Sequence, residues 1–352
     1  MKNNILVLGS FGYHKSNLSG QTVKTRSVYR LLKENYSGNV RWFCSTTLRS
    51  KPYRYVLLLW EILIAKTIVV IYASSGGFQT ILPVICRISK LLSKKTIYVA
   101  IGSTQVDCME GKGIYKRKRD DLLYLCRNMT AFLAETDKVR NILENRYNYK
   151  NVDLLPNFRY FDEEIPFYSA SKDTLRLVFM ARITPKKGYH TIFNFIENIK
   201  DKGYDIIIDF YGPMDGVCNE EFLSLVDKYK NYGVNYKGVL KSDEIYDTLS
   251  NYDVMLLPTF VEGIPGTIID GYISSLTVVA TNWEFASEII DDKVNGFIVA
   301  YEEPKKQEEF DERILQLYND RYLLEKMKYN AFKSREKYSV KKAWEIISKY
   351  LN

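Results

Sequence analysis

The chain has 352 residues, 46% hydrophobic and 26% charged, a globular composition with enough length for two cores. Five scattered cysteines (Cys44, Cys86, Cys108, Cys126 and Cys218) and only two histidines fit neither a disulfide framework nor a zinc site, and read as reduced, buried thiols. Net charge is +8, but residues 1–165 hold 26 Lys and Arg against 13 Asp and Glu, while the rest holds 24 against 29, so the first half points to an anionic partner.

Ile5–Leu8 is a short apolar run closed by Gly9, which suits a first strand and not the core of a secretory signal. Thr22–Glu34 carries Val23, Val28, Leu31 and Leu32 at helical spacing. Tyr55 to Tyr72 is largely apolar, but Glu61 and Lys66 interrupt it. The run reads as a helix followed by a buried strand, Ile68–Tyr72, not as a membrane span. A helix over Ile81–Leu92 and strands at Thr96–Ile101, Ala131–Ala134 and Val152–Leu155 follow, the last stopped by Pro156 and Asn157. The polar stretch 159–173 reads as a linker.

The alternation then restarts. Strands are predicted at Arg176–Ala181, Ile206–Tyr211, Val234–Tyr236, Asp253–Leu257, Thr277–Ala280 and Phe297–Val299, with helices at Tyr189–Lys200, Glu220–Tyr229 and Gly266–Ser274. Two such runs predict an α/β protein with two Rossmann-like parallel-sheet domains, at 1–165 and 170–335, binding ligands at strand carboxyl ends. Trp344, Ile346, Ile347 and Leu351 form an apolar stripe after the basic break at Arg335–Lys342. That stripe predicts a C-terminal helix, 336–352, packing back on the first domain.

Two segments carry chemistry. In Phe260-Val-Glu262-Gly263-Ile-Pro265-Gly266-Thr267-Ile-Ile-Asp270, a strand delivers the chain to glycines that allow close backbone approach. Pro265 opens a helix whose free amides, around Gly266 and Thr267, form an anion site. Glu262 and Asp270 bracket it, as a ligand with hydroxyls at both ends requires. In Ala181-Arg182-Ile-Thr-Pro-Lys-Lys187-Gly188, two cations at a strand end suit a pyrophosphate and could neutralise it as a leaving group. Alone, the first also reads as a helix cap with one solvated Asp, and the second as a surface loop with ordinary lysines.

Together the two segments resemble glycosyltransferase family 4, the retaining GT-B enzymes, with their G-R-x-x-x-x-K-G and E-x-(seven residues)-E stretches. Ser19-Gly20-Gln21-Thr22-Val-Lys24 and Leu155-Pro156-Asn157 resemble the first loop and the end of the first domain of that family. The resemblance implies a GT-B fold, two Rossmann-like domains facing across a cleft, and transfer of a hexose from a nucleoside-diphosphate sugar, UDP before GDP, to a glycan or lipid-linked saccharide. By resemblance Arg182 and Lys187 hold the diphosphate, Glu262 contacts the transferred sugar and Asp270 binds the ribose. Gly20 and Gln21 close over the phosphates, with Gly263, Gly266 and Thr267 lining the donor, and the base lies near Lys237-Gly238-Val239.

Two departures stand out. Asp270 is one methylene shorter than the family's Glu, and Ala100-Ile-Gly102-Ser-Thr104 lacks the His that many members carry there. His14, in the first loop, could stand in for that His, although a solvated histidine is the plainer reading. His190 reads as a helix-surface residue.

No DxD motif or carboxylate cluster is present, so no cofactor or metal is expected. His14, Lys24, Arg117 and Arg119 are assigned to the acceptor or membrane side. Lys51, Arg54, Lys94, Lys95 and the basic run 112–119, mixed with Tyr53, Tyr55, Trp60 and Leu57–Leu59, suit an anionic membrane, equally with ordinary solvated helix faces. These features place the chain in the cytoplasm, on the inner membrane face.

Rival readings fit less well. Gly9-Ser-Phe-Gly12 lacks the GxGxxG turn of a dinucleotide oxidoreductase, and no nucleic-acid recognition motif appears, so nucleic acid is not an expected partner. The alternative is a GT-B-shaped partner protein that binds nucleotide without catalysis.

Overall fold

A computed structural model describes residues 4–12, 20–48, 50–72, 75–102, 104–110, 127–214, 216 and 218–351. The chain divides into unit 1, residues 1–158 with 340–352, and unit 2, residues 159–339.

Unit 1 is built from β1 (Asn4–Gly9), α1 (Gly20–Asn35), β2 (Asn39–Cys44), α2 (Arg54–Ile64), β3 (Thr67–Tyr72), α3 (Ser75–Leu91), β4 (Lys95–Ala100), α4 (Thr104–Met109), β5 (Ala131–Ala134), α5 (Asp137–Asn141) and β6 (Val152–Leu154). The strands form one parallel sheet in the order β2-β1-β3-β4-β5-β6. All six residues of β3 are buried, as expected of a strand covered on both faces. The strand order reverses between β1 and β3, which puts the carboxyl ends of these two strands at the switch point.

Sequence pattern missed β2. It lies at the sheet edge, buries only Phe43 and Cys44, and mixes Arg41 and Trp42 into a short run that has no clear period. The four described cysteines are buried and free of disulfides; burial pushes the Cys86 thiol up to about 12.

Unit 2 contains β7 (Leu175–Met180), α6 (Tyr189–Ile199), β8 (Ile206–Tyr211), α7 (Asn219–Tyr229), β9 (Val234–Tyr236), α8 (Ile245–Leu249), β10 (Val254–Leu257), α9 (Gly266–Ile273), β11 (Thr277–Thr281), α10 (Ala286–Ile289), β12 (Gly296–Val299), α11 (Lys305–Asn319) and α12 (Arg321–Ser334). Its parallel sheet runs β12-β11-β10-β7-β8-β9, so the order reverses between β7 and β10. One face packs an aromatic cluster in which Phe193 stacks on Phe210 at 5.3 Å and both meet Phe222 edge-on.

At the amino ends of the strands, Asp253 accepts the Ser171 and Arg176 N–H groups at 2.9 and 3.0 Å. Residues 159–173, read as a linker, carry no helix or strand and belong to unit 2, fastened there by that Ser171 bond and by Tyr168 N–H donating to Ser275 Oγ.

α13 (Val340–Ile347) returns the chain to unit 1, where it packs against α1 with Ala343 and Ile347 buried. Lys349 Nζ then donates to Asp153 Oδ2 on β6 at 2.9 Å.

Candidate active site

Two loops leave the sheet of unit 2 beside its switch point, one after β7 and one after β10. The first passes Arg182, turns through Pro185–Lys187 and enters α6 at Gly188. Gly188 has φ 78°, and a Cβ built there would lie 1.8 Å from the Pro258 carbonyl oxygen, so only glycine lets the two loops meet. The Phe260 N–H donates to the Lys186 carbonyl oxygen at 3.0 Å and ties them together.

That docking brings Lys187 to Glu262. Lys187 Nζ donates to Glu262 Oε1, with 25% and 19% of the two side chains still exposed. Arg182, earlier on the same loop as Lys187, is exposed and has no hydrogen-bond or ionic partner among the described residues. The Trp283 indole N–H donates to the Gly263 carbonyl oxygen at 3.1 Å and fixes the turn that carries Glu262.

Pro265 is the extended residue ahead of α9, whose first residues are Gly266 and Thr267, both half-buried. One turn on, Asp270 is 5% exposed and gripped by Arg159, Nε to Oδ1 at 2.7 Å and Nη2 to Oδ2 at 3.2 Å. A Cβ on Gly266 would lie 1.9 Å from Arg159 Nη2, so the guanidinium lies over the first turn of α9. Burial works against the charge of Arg159, but the Asp270 carboxylate outweighs it and holds the guanidinium pKa above its ordinary value. Val239 is 63% exposed, next to Gly238 at φ 82°, and the Gly238 carbonyl oxygen accepts from Gly212 N–H at 2.8 Å.

In unit 1, Gly20 is the exposed first residue of α1, and the Gln21 amide donates to the Ile71 carbonyl oxygen at the end of β3, at 3.4 Å. The acceptor- or membrane-side assignment of Lys24 is corrected. Lys24 is 2% exposed, donates to the Leu155 carbonyl oxygen at 2.9 Å and pairs with Glu135 at 3.5 Å, so its charge is used inside unit 1. Glu135 Oε2 also accepts the Gly102 N–H at 2.6 Å and so holds the segment that lacks the family's His. His14, Arg117 and Arg119 lie outside the described residues. His190 is partly exposed on α6, 2.8 Å from Glu221.

Unit 2 therefore brings Arg182, Lys187, Glu262, Gly263, Gly266, Thr267 and Asp270 to one end of its sheet. Sequence reasoning missed Arg159, Trp283 and Glu135. Arg159 follows the quoted Leu155-Pro156-Asn157, but nothing in the spacing ties it to a carboxylate 111 positions on.

Doubly wound parallel units of this kind bind ligands at such switch points, and cations with helix-start amides select phosphorylated ones. The family model described as Glycosyl transferases group 1 matches residues 161–334, nearly all of unit 2. It is 24% identical over 196 residues to the capsular polysaccharide biosynthesis glycosyltransferase CapM of Staphylococcus aureus, covering 54% of this chain and 49% of that one. It is 20% identical over 232 residues to an uncharacterized 41.2 kDa protein in the cps region of Klebsiella pneumoniae, covering 65% and 58%. The chain thus spans about half the length of these curated relatives. The fold is that of Anabaena HepE, solved with UDP, at 14% identity, a TM-score of 0.71 and 99% coverage of both chains.

Proposed function

We propose that this chain is a retaining, metal-independent glycosyltransferase that moves a hexose from a nucleoside-diphosphate sugar, UDP before GDP, to a glycan or lipid-linked saccharide. The single observation that carries this reading is the partly exposed Lys187–Glu262 pair at the switch point, on the same loop as the open Arg182. Relatives named for capsular and colanic acid polysaccharide biosynthesis, and the UDP bound by HepE, support a role in surface polysaccharide assembly.

As the bond between the anomeric carbon and the phosphate oxygen breaks, its electrons pass to the diphosphate. Arg182 and Lys187 neutralise that charge without reorganising, which lowers the barrier more than it tightens ground-state binding. Glu262 accepts from a hydroxyl of the sugar while still holding Lys187, and Asp270 accepts from the ribose. The amides of Gly266 and Thr267 meet the phosphates, and the base lies by Val239. Retention rests on the family resemblance.

The test is turnover of a panel of UDP-, GDP- and ADP-sugars, with the product anomer read by NMR and EDTA added in parallel. A retained anomer and EDTA-insensitive release of UDP are expected. An inverted anomer removes the mechanism, and nucleotide binding without turnover on any acceptor leaves the non-catalytic partner protein.

The acceptor side is proposed to work at an anionic membrane on the cytoplasmic face. No helix of the described residues is long and apolar enough to cross a membrane. On α2 only Leu58 and Ile62 are buried, while Tyr55, Val56, Leu57, Leu59, Trp60 and Leu63 are exposed. Such a face can lie in a lipid interface beside Lys51 and Lys66. Lys94 contributes less than the sequence suggests. Its amine is turned onto the Leu63 and Ala65 carbonyl oxygens at the end of α2, and burial lowers its pKa. Co-sedimentation with liposomes should require anionic lipid and weaken as salt rises; equal binding to neutral vesicles, or none to either, counts against it.

A further inference from the structure

We propose that Arg159 is a positioning residue of the donor site, fixing the Asp270 carboxylate to receive the ribose hydroxyls of the nucleotide. This role rests on the donor reading above. Arg159 offers a planar fork of N–H groups, and both prongs are met by the two oxygens of one carboxylate, at 2.7 and 3.2 Å. The fork is itself held in place. The Arg159 N–H donates to the Tyr338 carbonyl oxygen at 2.9 Å, and its backbone bridges to Ser339.

The missing side chain at Gly266 gives the guanidinium its path across α9. A Cβ there would meet Nη2 at 1.9 Å. Asp270 has a short side chain and is 5% exposed, so a partner is needed to fix its carboxylate within the site. Paired with Arg159 through both of its oxygens, it is held in one orientation. Each carboxylate oxygen keeps a further lone-pair direction, so the pair of oxygens can accept from two vicinal hydroxyls. A 2′,3′-diol presents that pair of donors. The juxtaposition therefore makes Arg159 a determinant of ribose recognition, acting through Asp270 and not by touching the nucleotide.

Calorimetry on the full chain tests it. Wild type, Arg159→Gln and Arg159→Lys are titrated with whichever of UDP, GDP and ADP wild type binds best, and with its 2′,3′-dideoxy counterpart. Melting curves are recorded beside each titration. Wild type should prefer the ribonucleotide, and Arg159→Gln should shrink that preference about tenfold, the scale of one lost charge-assisted hydrogen bond. Arg159→Lys keeps the charge with one contact in place of two and should lose about threefold. It carries the test alone if the Gln variant fails to fold. A merely structural arginine would weaken both ligands alike, and that result overturns the proposal. So does a wild type that does not distinguish the two ligands. A wild type that binds none of the three nucleotides brings down the donor reading itself.

Discussion

Unit 2 holds two lysine–carboxylate pairs at opposite ends of the same sheet, and they are built differently. At the amino ends, Lys328 and Asp253 meet at 3.2 Å with 0% and 1% of their side chains exposed. Lys328 also donates to the Tyr252 carbonyl oxygen at 2.9 Å, and Asp253 already accepts from Ser171 and Arg176. Burial lowers the Lys328 pKa, and the Asp253 charge only partly opposes it. At the carboxyl ends, Lys187 and Glu262 make one side-chain contact each among the described residues and remain open to solvent. A pair closed on all sides locks α12 to the sheet. A pair left with free valences can give them to a ligand.

The sharpest way to break this comparison is to remove each lysine. Lys328→Ala leaves Asp253 buried without its counter-charge and should cost about 3–5 kcal/mol of stability in urea unfolding. Nucleotide affinity of the folded fraction should be unchanged. Lys187→Ala should lower kcat by roughly two to three orders of magnitude, the scale of one lost transition-state donor, with little change in Tm. A Tm loss as large as that of Lys328→Ala would make the two pairs alike.

Gly188→Ala should lie between these extremes. Its Cβ meets the Pro258 carbonyl oxygen at a positive φ, so about 1–3 kcal/mol of strain should appear in stability. The displaced loops should separate Lys187 from Glu262, lowering kcat more than they raise the nucleotide Kd. Glu262→Gln keeps the shape and should reduce rate more than nucleotide affinity, whereas Asp270→Ala should mainly raise the donor KM. The smallest effect is expected from Lys186→Ala. The side chain is exposed and the contact to Phe260 is made by the backbone carbonyl, so stability should move by less than about 0.5 kcal/mol.

Much of unit 2 was legible because its signals are local. β7, β8, β10 and β11 are apolar runs bounded by turns, and Arg182, Lys187, Glu262 and Asp270 stand at strand or helix ends where chemistry is expected. Elements whose burial depends on partners elsewhere were not legible. α11 buries Phe310, Ile314 and Leu317 but surrounds them with charge, so its apolar stripe is faint in the sequence. α8, at five residues, is too short to show a period. The correction at Lys24 has the same origin. A lysine near a helix start looks solvated until a carboxylate 111 positions away, Glu135, is folded against it.

The return of α13 to unit 1 has a consequence for synthesis. Residues 1–158 leave the ribosome first, yet Ala343, Ile347 and Leu351, all buried in unit 1, emerge only after the whole of unit 2. At about 5–20 residues per second the intervening 159–339 takes roughly ten to thirty-five seconds to make. For that interval the nascent first unit carries an uncovered seam along α1, and the seam closes only when α13 arrives.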